Sequence, residues 1–167
     1  MVVALTAVLL VVMQATASSA YTCQFYLSTA KVTCGGVTCT AATSWWYKLL
    51  PAGFYRIGPK NSGKSVPWYN LYPYSDKNYW DYHSEVPALG CRGGFALHGG
   101  SFSEGCITVT DNDCMAQIES YLNGLSSSTF TVNECKDAWG PNCLFSNCQN
   151  GIGTLSRSYI GSLKVYN

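Results

Sequence analysis

The chain has 167 residues, the size of one domain, with ten Lys plus Arg against nine Asp plus Glu and a net charge of +1. That balance excludes the cationic excess by which proteins gather nucleic acid or an anionic membrane surface. Charged residues make up 11% of the chain and aromatics 14%, twelve of them Tyr, which suits a β-rich exported domain wetted by Tyr, Ser, Asn and Thr.

The first segment reads as a targeting signal. Residues 1–13 form an apolar run too short to span a bilayer, and small residues follow from Ala15 to Ala20. Ser18-x-Ala20 matches the small-x-small pattern of a signal-peptidase site, so residues 1–20 are expected to be a signal peptide ending at Ala17 or Ala20. Residues 21–167 are then one domain, secreted or periplasmic, with a Cys-rich extension from about residue 133.

Elements follow in chain order. Tyr21 to Ala30, rich in Tyr, Thr and Phe, reads as a strand. Lys31 to Cys34 and Val37 to Thr40 flank Gly35-Gly36, a hairpin signal because two glycines accept the positive φ angles of a primed turn. Leu50-Pro-Ala-Gly53 is turn chemistry and Phe54 to Ile57 a strand. A further strand is expected within Val66 to Tyr72, a buried one from Gly94 to His98, and a short one from Ile107 to Val109. Asp111 to Leu122 is the one helix, since Met115, Ile118 and Leu122 recur at helical spacing, acidic residues open it and Gly124 can stop it. Ser128 to Val132 is a strand, Glu134 to Asn150 a disulfide-pinned loop, and Leu163 to Tyr166 an edge strand. The fold class is mainly β, a sandwich or barrel with one short helix.

Nine cysteines stand at 23, 34, 39, 91, 106, 114, 135, 143 and 148. In an exported chain eight can pair as four disulfides, in any of 105 ways, and one thiol is left over. A zinc site is disfavoured by the presence of only two histidines and no Cys-x-x-Cys pair, and no metal or cofactor is expected.

The segment Arg92-Gly-Gly-Phe-Ala-Leu-His98-Gly-Gly-Ser-Phe-Ser-Glu-Gly105-Cys106-Ile-Thr-Val carries the chemistry. A cysteine nucleophile needs a group that takes its proton or holds it as thiolate. His98 at a strand end, with Cys106 eight residues on across a glycine loop, supplies one in a hairpin-like return, and Gly105 lets backbone amides turn toward a developing oxyanion. The plainer alternative is a structural disulfide at Cys106 beside an incidental histidine. His83, in the aromatic stretch Tyr79 to His83, is the rival base.

This segment resembles the L,D-transpeptidase (YkuD-like) catalytic domain, whose signature is His-Gly followed by Ser-x-Gly-Cys. It is most similar to the branch of type VI secreted effectors that attack peptidoglycan, through Leu50-Pro51-Ala52-Gly53-Phe54-Tyr55, Arg92, His98-Gly99-Gly100 and Ser103-Glu104-Gly105-Cys106-Ile107. The likeness runs from about Tyr21 to Val132. It departs at Glu104 and Thr108, where many members carry histidine and arginine.

The resemblance implies an L,D-transpeptidase-like fold and a monomeric enzyme acting on peptidoglycan stem peptides. Cys106 would attack the carbonyl of the third residue and expel the terminal D-alanine, with His98 moving the proton and the Gly99 carbonyl holding its tautomer. Gly99, Gly100 and Gly105 would form the loop backbone, and Ser103 and Arg92 would contact substrate, Arg92 in place of the missing arginine. Water would give L,D-carboxypeptidase action, a D-amino acid exchange, and a second stem a cross-link. Export favours action on foreign walls, an antibacterial role. The alternative from another class is a noncatalytic disulfide-rich binding or toxin module, with Tyr and Trp as a glycan- or partner-binding face.

Overall fold

The computed structural model describes residues 21–42, 50–74, 95–103, 105–135 and 152–167. Residues 1–20, expected to be a signal peptide, lie outside them, as do His83, Arg92, Glu104, Cys91, Cys143 and Cys148.

Among the described residues ten strands and one helix form in the order β1 (Cys23–Tyr26), β2 (Lys31–Cys34), β3 (Val37–Ala42), β4 (Gly53–Lys60), β5 (Trp68–Pro73), β6 (Ala96–Gly99), β7 (Ile107–Val109), α1 (Asn112–Asn123), β8 (Ser128–Cys135), β9 (Ile152–Tyr159) and β10 (Gly161–Tyr166). Eight strands close into a barrel in the order β1-β10-β4-β5-β6-β7-β3-β2, and β8 and β9 form a separate antiparallel pair. Closure leaves the barrel without an edge to template pairing with another chain. Of sandwich and barrel, the chain forms a barrel.

Alternation along each strand fills the interior. Phe25, Val32, Ile57, Tyr69, Leu71, Leu97, Ile107, Leu163 and Val165 are fully buried in one cluster. Met115, Ile118 and Leu122 of α1 join it, so the helix closes its apolar stripe over strands β2, β3, β6 and β7. Two disulfides tie this body together. Cys23–Cys34 bridges directly opposed residues of β1 and β2, and Cys39–Cys114 pins β3 to the first turn of α1. Such bonds fit an oxidising, non-cytoplasmic environment. Among the described residues no helix is long and apolar enough to cross a membrane.

Three expectations change. Leu163 to Tyr166 is no edge: β10 lies between β1, which it pairs in parallel, and β4, which it pairs antiparallel. Its alternation looks like an edge strand because only one face is apolar, while both flanks are hydrogen-bonded. Glu134 and Cys135, expected to begin a loop, extend β8, whose partner β9 has no counterpart in the sequence reading. β8 and β9 pair with each other in a two-stranded sheet separate from the barrel. Finally, β6 and β7 are parallel, so the chain between His98 and Cys106 is not a hairpin return.

Candidate active site

Parallel neighbours usually need a dozen or more residues to connect them. Here β6 ends at Gly99 and β7 begins at Ile107, leaving only residues 100–106. The strands are four and three residues long, so the return path is about 10–13 Å, within reach of seven residues of extended chain. Both reversals use positive φ, +143° at Gly100 and +100° at Gly105, angles that a side chain rarely tolerates. The loop is stitched by its own bonds. Ser103 Oγ donates to the Cys106 carbonyl at 2.8 Å, and the Gly100 amide donates to the Val109 carbonyl at 3.2 Å.

The parallel register then decides which side chains meet. Leu97 is level with Ile107 and His98 with Thr108. Leu97, Ile107 and Val109 point into the barrel core. Strand alternation turns His98 and Thr108 to the other face, and Cys106 lies two residues before Thr108, in the bend that leads into β7. Cys106 keeps its thiol and is buried, at 9% exposure. The register thus sets His98 beside Thr108, with Cys106 just ahead of β7.

His98 is only 6% exposed and held on three sides. Its Nδ1 lies 2.9 Å from the Gly99 carbonyl and its Nε2 lies 2.9 Å from Thr108 Oγ1. Trp68 of β5, level with His98 across the antiparallel pair, stacks on the imidazole at 4.3 Å between centroids and 18° between planes. Lys64 Nζ lies 4.8 Å above that indole ring, and the indole N–H donates to Asn70 at 2.9 Å. A carbonyl only accepts, so Nδ1 carries the proton and the Nε2 lone pair of the neutral ring accepts from the Thr108 hydroxyl.

Burial pushes the His98 pKa below its usual value; the Gly99 hydrogen bond opposes this and the Lys64 charge adds to it. A lowered imidazole pKa works against a standing thiolate–imidazolium pair. The arrangement therefore suits a neutral base that accepts a thiol proton as the reaction proceeds.

Of the residues singled out in the sequence, His98 and Gly99 end β6, and Gly100, Ser103, Gly105 and Cys106 lie in the short connection to β7. Ser103 commits its proton to the Cys106 carbonyl, so its part here is inside the loop. Arg92 and the rival base His83 lie outside the described residues. Thr108 and Trp68 are the residues sequence reasoning missed: Thr108 stood out only as a departure from a motif, and Trp68 lies 30 residues before His98. The one available signal was alternation, which places Thr108 on the face away from Ile107 and Val109. In comparisons with known proteins, no family model, curated protein or solved structure matches this chain.

Proposed function

We propose that the protein is a secreted cysteine enzyme of the L,D-transpeptidase type, acting on peptidoglycan stem peptides through a thioester on Cys106. The observation that carries this reading is the pairing of β6 and β7, with an Nδ1-anchored imidazole on β6 and a buried thiol immediately before β7. Cys106 Sγ attacks the carbonyl of the third stem residue while His98 Nε2 takes the thiol proton. The same proton passes to the departing D-alanine amine, and the acyl group remains on sulfur. Water then gives L,D-carboxypeptidase action, a D-amino acid gives exchange, and a second stem gives a cross-link.

The test is mass spectrometry of tetrapeptide muropeptides incubated with the protein. Loss of the terminal D-alanine, or its exchange for an added D-amino acid, is expected. Cys106→Ala abolishes turnover while leaving the melting temperature close to wild type, because it removes a thiol and not a staple. His98→Ala cuts turnover steeply, by 100-fold or more on the scale of roughly 10²–10⁴ for general acid–base catalysis. His83→Ala leaves it unchanged. Turnover that survives in Cys106→Ala would require another nucleophile.

One observation favours a noncatalytic binding module instead. On the outer face, the Arg56 guanidinium lies 4.5 Å from the ring centroids of both Tyr74 and Phe130, beside an apolar cavity of about 300 Å³. If intact muropeptides are retained by the protein but never converted, that cavity becomes the functional centre.

A further inference from the structure

We infer that Thr108 is a positioning residue for His98, and that its hydroxyl reverses its hydrogen bond when the imidazole gains a proton. The inference rests on the Cys106–His98 reading given above, while part of its test does not.

Thr108 is fully buried, and its hydroxyl has one proton to give and lone pairs to receive. Two groups lie within reach: His98 Nε2 at 2.9 Å and the Phe102 carbonyl at 3.3 Å. One proton cannot serve both. When His98 is neutral, Nε2 is a lone pair, so Thr108 donates to it and the contact with Phe102 gives way. When His98 is protonated, Nε2–H becomes a donor, Thr108 Oγ1 accepts it, and the hydroxyl proton turns to the Phe102 carbonyl. Every polar atom of the chain is then satisfied, from Gly99 O through both ring nitrogens and Thr108 to Phe102 O.

The device matters because of what else faces the ring. Among the described residues these are the Gly99 carbonyl, the Trp68 indole with the Lys64 charge beyond it, and the Thr108 hydroxyl of the neighbouring strand. Burial and Lys64 both oppose a positive imidazole. For the proton transfer the Thr108 hydroxyl proton first turns to the Phe102 carbonyl and frees the Nε2 lone pair; the S–H bond then breaks, sulfur keeps the electron pair and an Nε2–H bond forms. Thr108 Oγ1, 2.9 Å from Nε2, is then the acceptor for the new donor. Thr108 thus gives the transient imidazolium a buried acceptor, and Phe102 gives Thr108 somewhere to send its own proton. A valine has the same shape and branching but no oxygen, and would leave a charged donor buried without that partner.

The experiment compares wild type with Thr108→Val and Thr108→Ser by two readouts. The first is NMR of the His98 ring nitrogens through a pH titration, which needs no substrate. Wild type is expected to show the Nδ1–H tautomer when neutral, Thr108→Val to titrate at lower pH, and Thr108→Ser to return toward wild type. The second is muropeptide turnover, where Thr108→Val lowers kcat roughly 10- to 100-fold with KM little changed, the scale of a hydrogen bond to a charged group, and Thr108→Ser recovers most of it. An Nε2–H tautomer in wild type, or a His98 midpoint identical in wild type and Thr108→Val, would overturn the inference. So would equal kcat losses in the valine and serine variants. If Thr108→Val does not fold, the wild-type tautomer and the serine titration still decide it. Wild type that turns over no muropeptide sinks the stem-peptide reading alone, since the NMR arm stands by itself.

Discussion

His98 is nearly enclosed, and this sets how the protein meets acid. Its folded pKa lies below the usual value because burial disfavours the charged ring, whereas in the unfolded chain it returns to about 6.5. Between those two values the unfolded state binds more protons, so the contribution of His98 to stability rises with pH there. Acidification through about pH 6.5 therefore removes stability, until the folded pKa is passed and the loss levels off. Urea denaturation in steps from about pH 7.5 to 5.5 should show this fall, and it should be flatter in His98→Gln. An identical slope in the two proteins would place the acid sensitivity elsewhere. Cys106 and His98 were singled out because the glycines around them are local in sequence. Thr108 and Trp68 were not, because they reach the imidazole only through strand pairing.

At the scale of elements, α1 was the most legible. Its apolar positions Met115, Ile118 and Leu122 are the buried ones, and the Asp111 side chain caps the amides of Asp113 and Cys114 at 3.0 Å. Gly124 does end it, but at φ −80°, so the stop does not draw on glycine's access to positive φ. The β2–β3 turn does draw on it: Gly35 and Gly36 sit at +55° and +86°, and the Tyr121 ring fills the space a Cβ at Gly35 would need. Helix and hairpin are then joined covalently by Cys39–Cys114, which spans 75 residues against 11 for Cys23–Cys34. In the chain-entropy account the longer loop stabilises more, by about 1–2 kcal/mol. Replacing Cys39 and Cys114 together by serine should cost more than replacing Cys23 and Cys34, with both losses near the range of about 2–5 kcal/mol. Urea midpoints of the two double variants check the order, and the reverse order would show that strand pairing, not loop closure, governs the effect.

For the whole molecule, closure depends on β10. It is paired along Leu163–Tyr166 with β1 and along Gly161–Val165 with β4, and it buries Leu163 and Val165. Consecutive amides in a strand point to opposite neighbours, so on a true edge strand one of two adjacent prolines is tolerated. In β10 neither should be. Lys164→Pro and Val165→Pro are each expected to destabilise by at least about 1–3 kcal/mol, the cost of a buried ladder group left unpaired. Thermal melts check this, and a neutral Lys164→Pro would return β10 to the edge.

The sequence by itself determined the mainly β class, the one helix with its buried stripe, the Gly-Gly hairpin, and the Cys106–His98 pairing as an expectation. All of these rest on signals a few residues wide, set by strand alternation, helical period and glycine chemistry. Only the tertiary structure decided the barrel order, the parallel seams at β1–β10 and β6–β7, the β8–β9 ribbon and the enclosure of His98 by Thr108 and Trp68. The reason is physical: which strand flanks which is settled by the energy of closing one core around all of them, and no local pattern of residues encodes its distant neighbour.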